Sequence, residues 1–237
     1  MIPFNVFGHT KRAGAVEDIP IVWVDAQDTG SYTLSGNDVL TLLNKGSLGG
    51  AMTLNGSVKF ANSGFESWSA STSITRDLGE TFLPTNSFTI VTTLDYTNKK
   101  SNTDVFSGIY AENSNRIYNA STNGVVITPS VGLASNSSFS FNGDVFSNPT
   151  GAVTLICSYD FNSNELTSLA HLGSVQTQNI GLFNNSVNAK ATILNALAFN
   201  LYSGQNNPVF EYRLYDRAFT LTEMQDLQTE LNNKYTP

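Results

Sequence analysis

From residue 19 onward the chain alternates short apolar runs with clusters of Asn, Gly, Ser and Pro. Residues 19–25, Ile-Pro-Ile-Val-Trp-Val-Asp, are β-branched and aromatic, which predicts a strand buried on both faces whose first rungs lie at an edge because of Pro20. Asn37-Asp38 ahead of Val39, Leu40, Leu42 and Leu43 predicts a short capped helical turn, ended by Lys45-Gly46. Residues 51–60 predict two short strands folded into a hairpin about Asn55-Gly56. Further strands are expected at 87–96, 103–110, 124–128, 138–141, 152–159, 166–172, 192–199 and 209–215. Many short strands with turn-forming links and no 20–50-residue repeat predict an all-β fold, a sandwich or jelly roll, most economically two packed antiparallel sheets.

The exception comes at the end. Thr220-Leu221-Thr222-Glu223 has the form of a capping box, and Leu221, Met224, Leu227 and Leu231 follow at helical spacing. They predict one C-terminal amphipathic helix reaching about Tyr235. Residues 1–18 show no period and are expected to form an N-terminal arm, leaving 19–237 as one sandwich domain. Within 209–215, alternation places Phe210, Tyr212 and Leu214 on the core face and Glu211, Arg213 and Tyr215 on the other. Arg213 and Arg217 read as structural pins that hydrogen-bond carbonyls or carboxylates, and Trp23, inside the apolar first strand, as a structural core residue.

Three stretches carry a resemblance. Val22-Trp23-Val24-Asp25-Ala26-Gln27-Asp28, then Thr33-Leu34 and Asn44-Lys45-Gly46-Ser47-Leu48-Gly49-Gly50, resemble the opening of concanavalin A-like, laminin-G-like jelly-roll domains. Ser87-Phe88-Thr89-Ile90-Val91, leading to Val105-Phe106-Ser107-Gly108, is similar to the family's central strand pair. Phe210-Glu211-Tyr212-Arg213-Leu214-Tyr215-Asp216-Arg217-Ala218-Phe219-Thr220, with Glu223, is similar to its closing strand and helix. The likeness spans roughly residues 19–235 and implies the concanavalin A-like sandwich. It departs from the pattern where Leu42-Leu43 replace the usual tryptophan and where 113–149 runs long and polar, so the family's ligand loops do not transfer.

Composition narrows the function. Only 13% of residues are charged, and 12 basic against 19 acidic residues give a net charge of −7, which repels a phosphate backbone and argues against nucleic acid as a partner. No apolar run approaches the length of a membrane span, so no membrane insertion is expected, and residues 1–16 lack the order of an export signal. Cys157 is the single cysteine and falls in an apolar stretch, as a buried structural thiol would, with only His9 and His171 as conceivable bases.

Catalytic and metal chemistry find little footing. Glycoside hydrolases on this type of sandwich need two carboxylates facing each other across the scissile bond. The acids here are scattered, and the densest trio, Glu223, Asp226 and Glu230, lies on the terminal helix. No enzymatic activity is expected. Asp160-Phe161-Asn162-Ser163-Asn164 begins like a calcium loop but has Glu165 at the sixth position and His171 at the twelfth, so a polar hairpin turn fits better. Because the family often holds calcium at the sandwich rim, Asp104, Asp144 and Asp160 stand as metal candidates by that resemblance, with calcium as the one conceivable cofactor. Sugar recognition needs exposed aromatic rings beside amides or carboxylates. Trp68, in a polar run, is the leading candidate, with the core as its alternative; Tyr110, Tyr118 and Tyr202 adjoin Asn or Ser and are candidate rim residues.

The expected function is therefore that of a non-enzymatic virion structural protein, a capsid decoration or fibre component of a bacteriophage, with a lectin-like fold that can hold host surface glycans. Its partners would be capsid or other virion proteins, it would assemble as a homo-oligomer, and it would sit on the virion surface. The alternative is a carbohydrate-binding module of a bacterial surface or secreted system.

Overall fold

The computed structural model describes residues 18–67, 72–79, 86–95, 107–110, 116–122, 126–132, 138–140, 151–169, 175–179, 190–195 and 208–235. Among these, the strands form two antiparallel sheets. The larger runs β15 (Val175–Asn179), β14 (Glu165–Leu169), β13 (Ala152–Asp160), β8 (Phe88–Asp95), β17 (Val209–Tyr215), β6 (Gly64–Ser67), β5 (Val58–Ala61), β3 (Asp38–Leu42) and β2 (Tyr32–Ser35). A further strand, β1 (Val22–Asp25), shares an edge of β17 with β6. The smaller sheet runs β12 (Ser138–Ser140), β11 (Val126–Gly132), β10 (Arg116–Thr122), β9 (Ser107–Tyr110), β16 (Lys190–Asn195), β7 (Ser73–Asp77) and β4 (Thr53–Asn55). One helix, α1 (Leu221–Tyr235), follows the last strand. The all-β sandwich with a C-terminal helix predicted from the periodicity is the observed fold.

The middle of the larger sheet is buried on both faces, and this explains why its strands read as continuous apolar runs. Phe88, Ile90 and Leu94 of β8, Val153, Leu155, Cys157 and Tyr159 of β13, and Tyr212 and Leu214 of β17 join Ile74 and Ile109 of the smaller sheet in one core. The opposite face presents Val91, Ile156, Leu169 and Tyr215 to Met224, Leu227 and Leu231 of α1 in a second cluster. Full burial of each such side chain contributes roughly 1.5–3 kcal/mol. A polar tie crosses between the layers as well: the buried Tyr212 hydroxyl donates to the Gly108 carbonyl at 2.9 Å, and burial raises the phenol above its ordinary value. Burial likewise pushes up the Cys157 thiol, which is fully enclosed.

Helix α1 begins as its sequence requires. The Thr220 amide donates to Glu223 Oε2 at 2.7 Å and the Glu223 amide donates to Thr220 Oγ1 at 3.3 Å, the reciprocal bonds of a capping box. The strand-to-helix turn is anchored by hydroxyls of the sheet, since the Phe219 amide donates to Ser158 Oγ at 2.8 Å and to Thr89 Oγ1 at 3.0 Å. On the buried face Gln228 takes a place that the leucine spacing assigned to Leu221: its amide nitrogen donates to the Thr154 carbonyl at 3.0 Å, while Leu221 is 41% exposed. The first turn points Leu221 past the edge of the sheet contact.

Several expectations fail locally. Residues 38–42 form the strand β3 instead of a helical turn, because Gly36, at φ 60°, makes the first position of a two-residue link that folds β3 back on β2 in the pairing Ser35 with Asp38. A register shift lets Leu40 bulge, which disguises the strand period as a helical one. Asn55-Gly56 closes no hairpin. β4 pairs with β7 in the smaller sheet whereas β5 pairs with β3 and β6 in the larger, so Gly56, at φ 70°, carries the chain between layers. The actual hairpin follows at Asn62-Ser63, both in the left-handed region at φ 50° and 63°, between β5 and β6. The strands β2, β6, β7, β10 and β15 come in addition to those the sequence predicts, and β1 starts at Val22, after Pro20. The arm expected over 1–18 lies outside the described residues except for Asp18.

The helix start also carries a pH dependence. Arg217 donates to Glu223 Oε1 at 2.8 Å, and this bond holds the Glu223 carboxyl at about 2, from an ordinary 4.5. A carboxylate with a depressed folded value adds stability above its unfolded value and loses it as the pH falls toward the folded one. Stability is therefore expected to decline between about pH 4.5 and 2 through Glu223. Urea titrations across that range should show a shallower decline in Glu223→Gln than in the parent; parallel curves would exclude the assignment.

Candidate functional site

At the end of the sandwich where β1 and β8 begin and β7 and β17 finish, an open cleft of about 290 Å³ is lined by Ile21, Ser47, Leu48, Leu78, Asn86 and Asp216. Leu78 follows a strand of the smaller sheet and the others come from termini and a loop of the larger one, so the cleft exists only once the two layers are packed. Its lining is half aliphatic and half polar, with one hydroxyl, one amide and one carboxylate.

The loop that carries Ser47 and Leu48 is fixed by one buried side chain. Asn44 Oδ1 accepts from the amides of Trp23 at 2.8 Å and Gly46 at 2.9 Å, and Asn44 Nδ2 donates to the carbonyls of Ile21 at 3.0 Å and Gly49 at 3.3 Å. The Ser47 and Leu48 amides add bonds to the carbonyls of Pro20 and Ile21 at 2.8 and 3.1 Å. Gly46 is required there by close approach, because a Cβ would stand 2.5 Å from the carbonyl oxygens of both Pro20 and Ile21. The Asn-Lys-Gly-Ser-Leu-Gly-Gly stretch is thus stitched to the entry of β1, and one wall of the cleft is preorganised.

On the outer face of the larger sheet, beneath the end of α1, a row of alternating charges runs from that loop to the helix. Lys45 Nζ stands 2.8 Å from Asp28 and 3.7 Å from Asp25; Lys234 Nζ lies 2.9 Å from Asp25 and 2.7 Å from Glu211. Arg213 Nε is 2.6 Å from Glu211 and its Nη2 is 3.2 Å from Glu230. Glu211 is 1% exposed and has every acceptor direction filled: the Trp23 indole and Arg213 on Oε1, Lys234 and the Tyr235 hydroxyl on Oε2. Burial works to raise the Asp25 carboxyl, but the bond from Lys234, the Gln27 amide and the nearby lysine charges outweigh it and leave the group below its usual value. The Asp28 carboxyl is held low chiefly by its bond from Lys45. The Tyr235 phenol is driven up by burial and by the Glu211 carboxylate, so it keeps its proton and donates.

This network decides two questions about chemistry. Asp25 and Glu211 share Lys234 and Tyr235 and are close together, yet they face the underside of α1 with their oxygens committed to donors of the same chain. Such a pair is a structural lock, with neither the free base nor the room for a sugar that glycoside hydrolysis needs. Trp23 belongs to the same lock and not to the core, which corrects the expectation from its apolar strand. Its neighbours Val22 and Val24 point into the sandwich, while the indole lies on the other face, with Lys45 Nζ 4.2 Å and Arg213 5.2 Å from the ring. Strand alternation forces this, since one side of β1 must be Val22 and Val24 and the other Trp23 and Asp25.

Arg217 donates to Asp18 at 3.0 Å, to Glu223 and to the Ala218 carbonyl, tying the entry of the chain to the start of α1. Phe210, expected in the core, instead stacks on Tyr235 at 5.1 Å, because a register shift between Val209 and Glu211 turns it outward. Asp160 organises the turn between β13 and β14: its Oδ1 accepts from the Asn162 amide at 2.9 Å and its Oδ2 from the Ser163 hydroxyl at 3.3 Å. Among the described residues, no group of three or more His, Cys, Asp or Glu is placed to hold a metal ion. Trp68, Tyr202, Asp104, Asp144, His9 and His171 lie outside the described residues. Tyr110 and Tyr118 fall on the neighbouring strands β9 and β10. Sequence reasoning missed the cleft, although two of the three resembling stretches, 44–50 and 210–220, supply three of its lining residues.

No family model matches the chain, and no curated protein matches it. Solved structures do. A botulinum neurotoxin serotype D/C binding domain, 12% identical, superposes with a TM-score of 0.63 over 90% of this chain. A botulinum neurotoxin DC binding domain in complex with SialylT is 11% identical with a TM-score of 0.62, and one in complex with rat synaptotagmin II is 10% identical with 0.63. The likeness is one of fold. In each case this chain spans 52% of the other's length, so it corresponds to about half of those binding domains.

Two substitutions probe the frame of the site. Glu211→Ala strands Arg213 and Lys234 near a buried vacancy and is expected to cost about 3–5 kcal/mol in urea unfolding; a loss under 1 kcal/mol would show that the lock is not what holds α1. Gly46→Ala places a Cβ against two backbone oxygens and is expected to cost about 1–3 kcal/mol, while an unchanged midpoint would mean that the loop moves freely.

Proposed function

We propose that the chain is a non-catalytic recognition module, a lectin-like sandwich that holds surface glycans, displayed on a bacteriophage virion as a capsid decoration or fibre component. The observation that carries the recognition reading is the sandwich itself. Nine-tenths of the chain follows the backbone of neurotoxin binding domains, one solved in complex with SialylT and another with rat synaptotagmin II. The committed state of Asp25 and Glu211 supports binding over catalysis, since this neighbouring acid pair is consumed by the fold.

The virion reading rests on the composition and on the resemblance to jelly rolls that decorate particles. A net charge of −7 with only 13% charged residues gives a surface wetted by neutral amides and hydroxyls, compatible with dense display beside like copies. Assembly as a homo-oligomer and attachment to capsid proteins belong to that reading, with residues 1–18 as the anchor.

A glycan array with the purified chain tests recognition, and reproducible binding weakened by Trp68→Ala is the expected result. Silence across neutral and acidic glycans would remove the lectin reading. Purified particles, probed with antibody against this chain, test display: the chain should co-sediment with capsids and be lost from them when residues 1–18 are deleted, whereas its absence from particles would favour a bacterial surface module.

A further inference from the structure

We infer that the cleft between Ser47, Asn86 and Asp216 is a binding subsite for an uncharged saccharide of one or two rings. This rests on the glycan-recognition reading and goes further by naming a place and a ligand class. The chemistry of the wall is amphipathic in the manner of a sugar. Ile21, Leu48 and Leu78 offer aliphatic surface for the C–H face of a pyranose, and the Ser47 hydroxyl, Asn86 amide and Asp216 carboxylate supply donors and acceptors for vicinal hydroxyls. A volume of about 290 Å³ lies at the small end of ligand pockets, which limits the occupant to a terminal unit of a larger glycan.

Charge selects among sugars. Among the described residues, Asp216 is the one charged residue lining the cleft; of the described cations within two residues of its walls, Lys45 is paired with Asp28 and Asp25, Arg217 with Asp18 and Glu223, and Arg76 donates to the Ala51 carbonyl at 3.4 Å. The carboxylate of an acidic sugar would be desolvated opposite Asp216 with no cation among the described lining residues to receive it, and the net charge of −7 adds to the repulsion. A neutral sugar meets no such cost. Its hydroxyls donate to Asp216, and charge-assisted bonds of this kind are stronger than neutral ones. The Asn44-held loop keeps Ser47 and Leu48 in place before any ligand arrives, so little ordering entropy opposes binding.

The test is titration of neutral and sialylated oligosaccharides against the parent, Asp216→Asn, Asn86→Ala and, as a control at the sheet edge, Thr177→Ala. The expected result is binding of neutral oligosaccharides that weakens about tenfold or more in Asp216→Asn and Asn86→Ala, at unchanged melting temperature, and is retained in Thr177→Ala. Neutral binding untouched by both cleft substitutions, or binding confined to sialylated ligands, would overturn the cleft assignment while leaving lectin function standing. Failure of every oligosaccharide to bind the parent chain would overturn both.

Discussion

A carboxylate with 1% of its surface in water must be neutralised where it stands, and in this protein that constraint falls on Glu211. Its four partners come from three elements: Trp23 from β1, Arg213 from its own strand, and Lys234 and Tyr235 from the last turn of α1. None of the three elements can shift without leaving a buried charge unpaired. The lock therefore sets where the helix ends on the sheet, as the capping box and the hydroxyls of Thr89 and Ser158 set where it begins. Between these two fixed ends, Met224, Leu227 and Leu231 have no choice but to cover Val91, Ile156 and Leu169.

The same arrangement explains the double-sided burial of the larger sheet. With α1 on one face and the smaller sheet on the other, β8 and β13 have no solvent side, and their polar positions must find partners inside. Thr93 and Thr154 pair through their hydroxyls at 3.1 Å, and Gln228 reaches down to the Thr154 carbonyl. Apolar bulk and hydroxyl pairing thus divide one surface between them, and Thr93, Thr154 and Gln228 are buried there with their polar groups bonded.

Legibility in the sequence followed the range of the interactions involved. The bounds of β17 and α1 are legible nearly to the residue because strand alternation and the Thr220–Glu223 box are local signals, whereas the faces of Phe210 and Leu221 are not, since a register shift after Val209 turns the first outward and the sheet contact leaves the second exposed. β3 is disguised in the sequence because Gly36 and the bulge at Leu40 interrupt the two-residue period, leaving Val39, Leu40, Leu42 and Leu43 to imitate a helix face. Asn55-Gly56 misled in the opposite way: its local chemistry is that of a turn, but the partners of the two flanking strands, Ile74 in one sheet and Phe65 in the other, are chosen by tertiary packing. The apolar neighbours of Trp23 point to the core, although the decisive fact is its cross-strand partner Arg213, far away in sequence. The candidate site was the least legible part, because its walls come from five separated segments and only pairing brings them together.

That dispersal has a mechanical consequence for the cleft. Ile21 immediately precedes the strand β1, Asp216 follows the strand β17, and the two strands are paired in the register Val22 with Leu214, so these two walls are joined by the central ladder of the larger sheet. Ser47 and Leu48 hang from the same ladder through Asn44 and the carbonyls of Pro20 and Ile21. The Glu211 lock grips β1 and β17 a few rungs further along, on the face away from the core. Three walls of the cleft are therefore held by one ladder, Asn86 leads into β8 on the other side of β17, and among the described lining residues Leu78 alone comes from the smaller sheet. A site built this way gains selectivity from fixed geometry, since a ligand must fit positions that the fold has already determined.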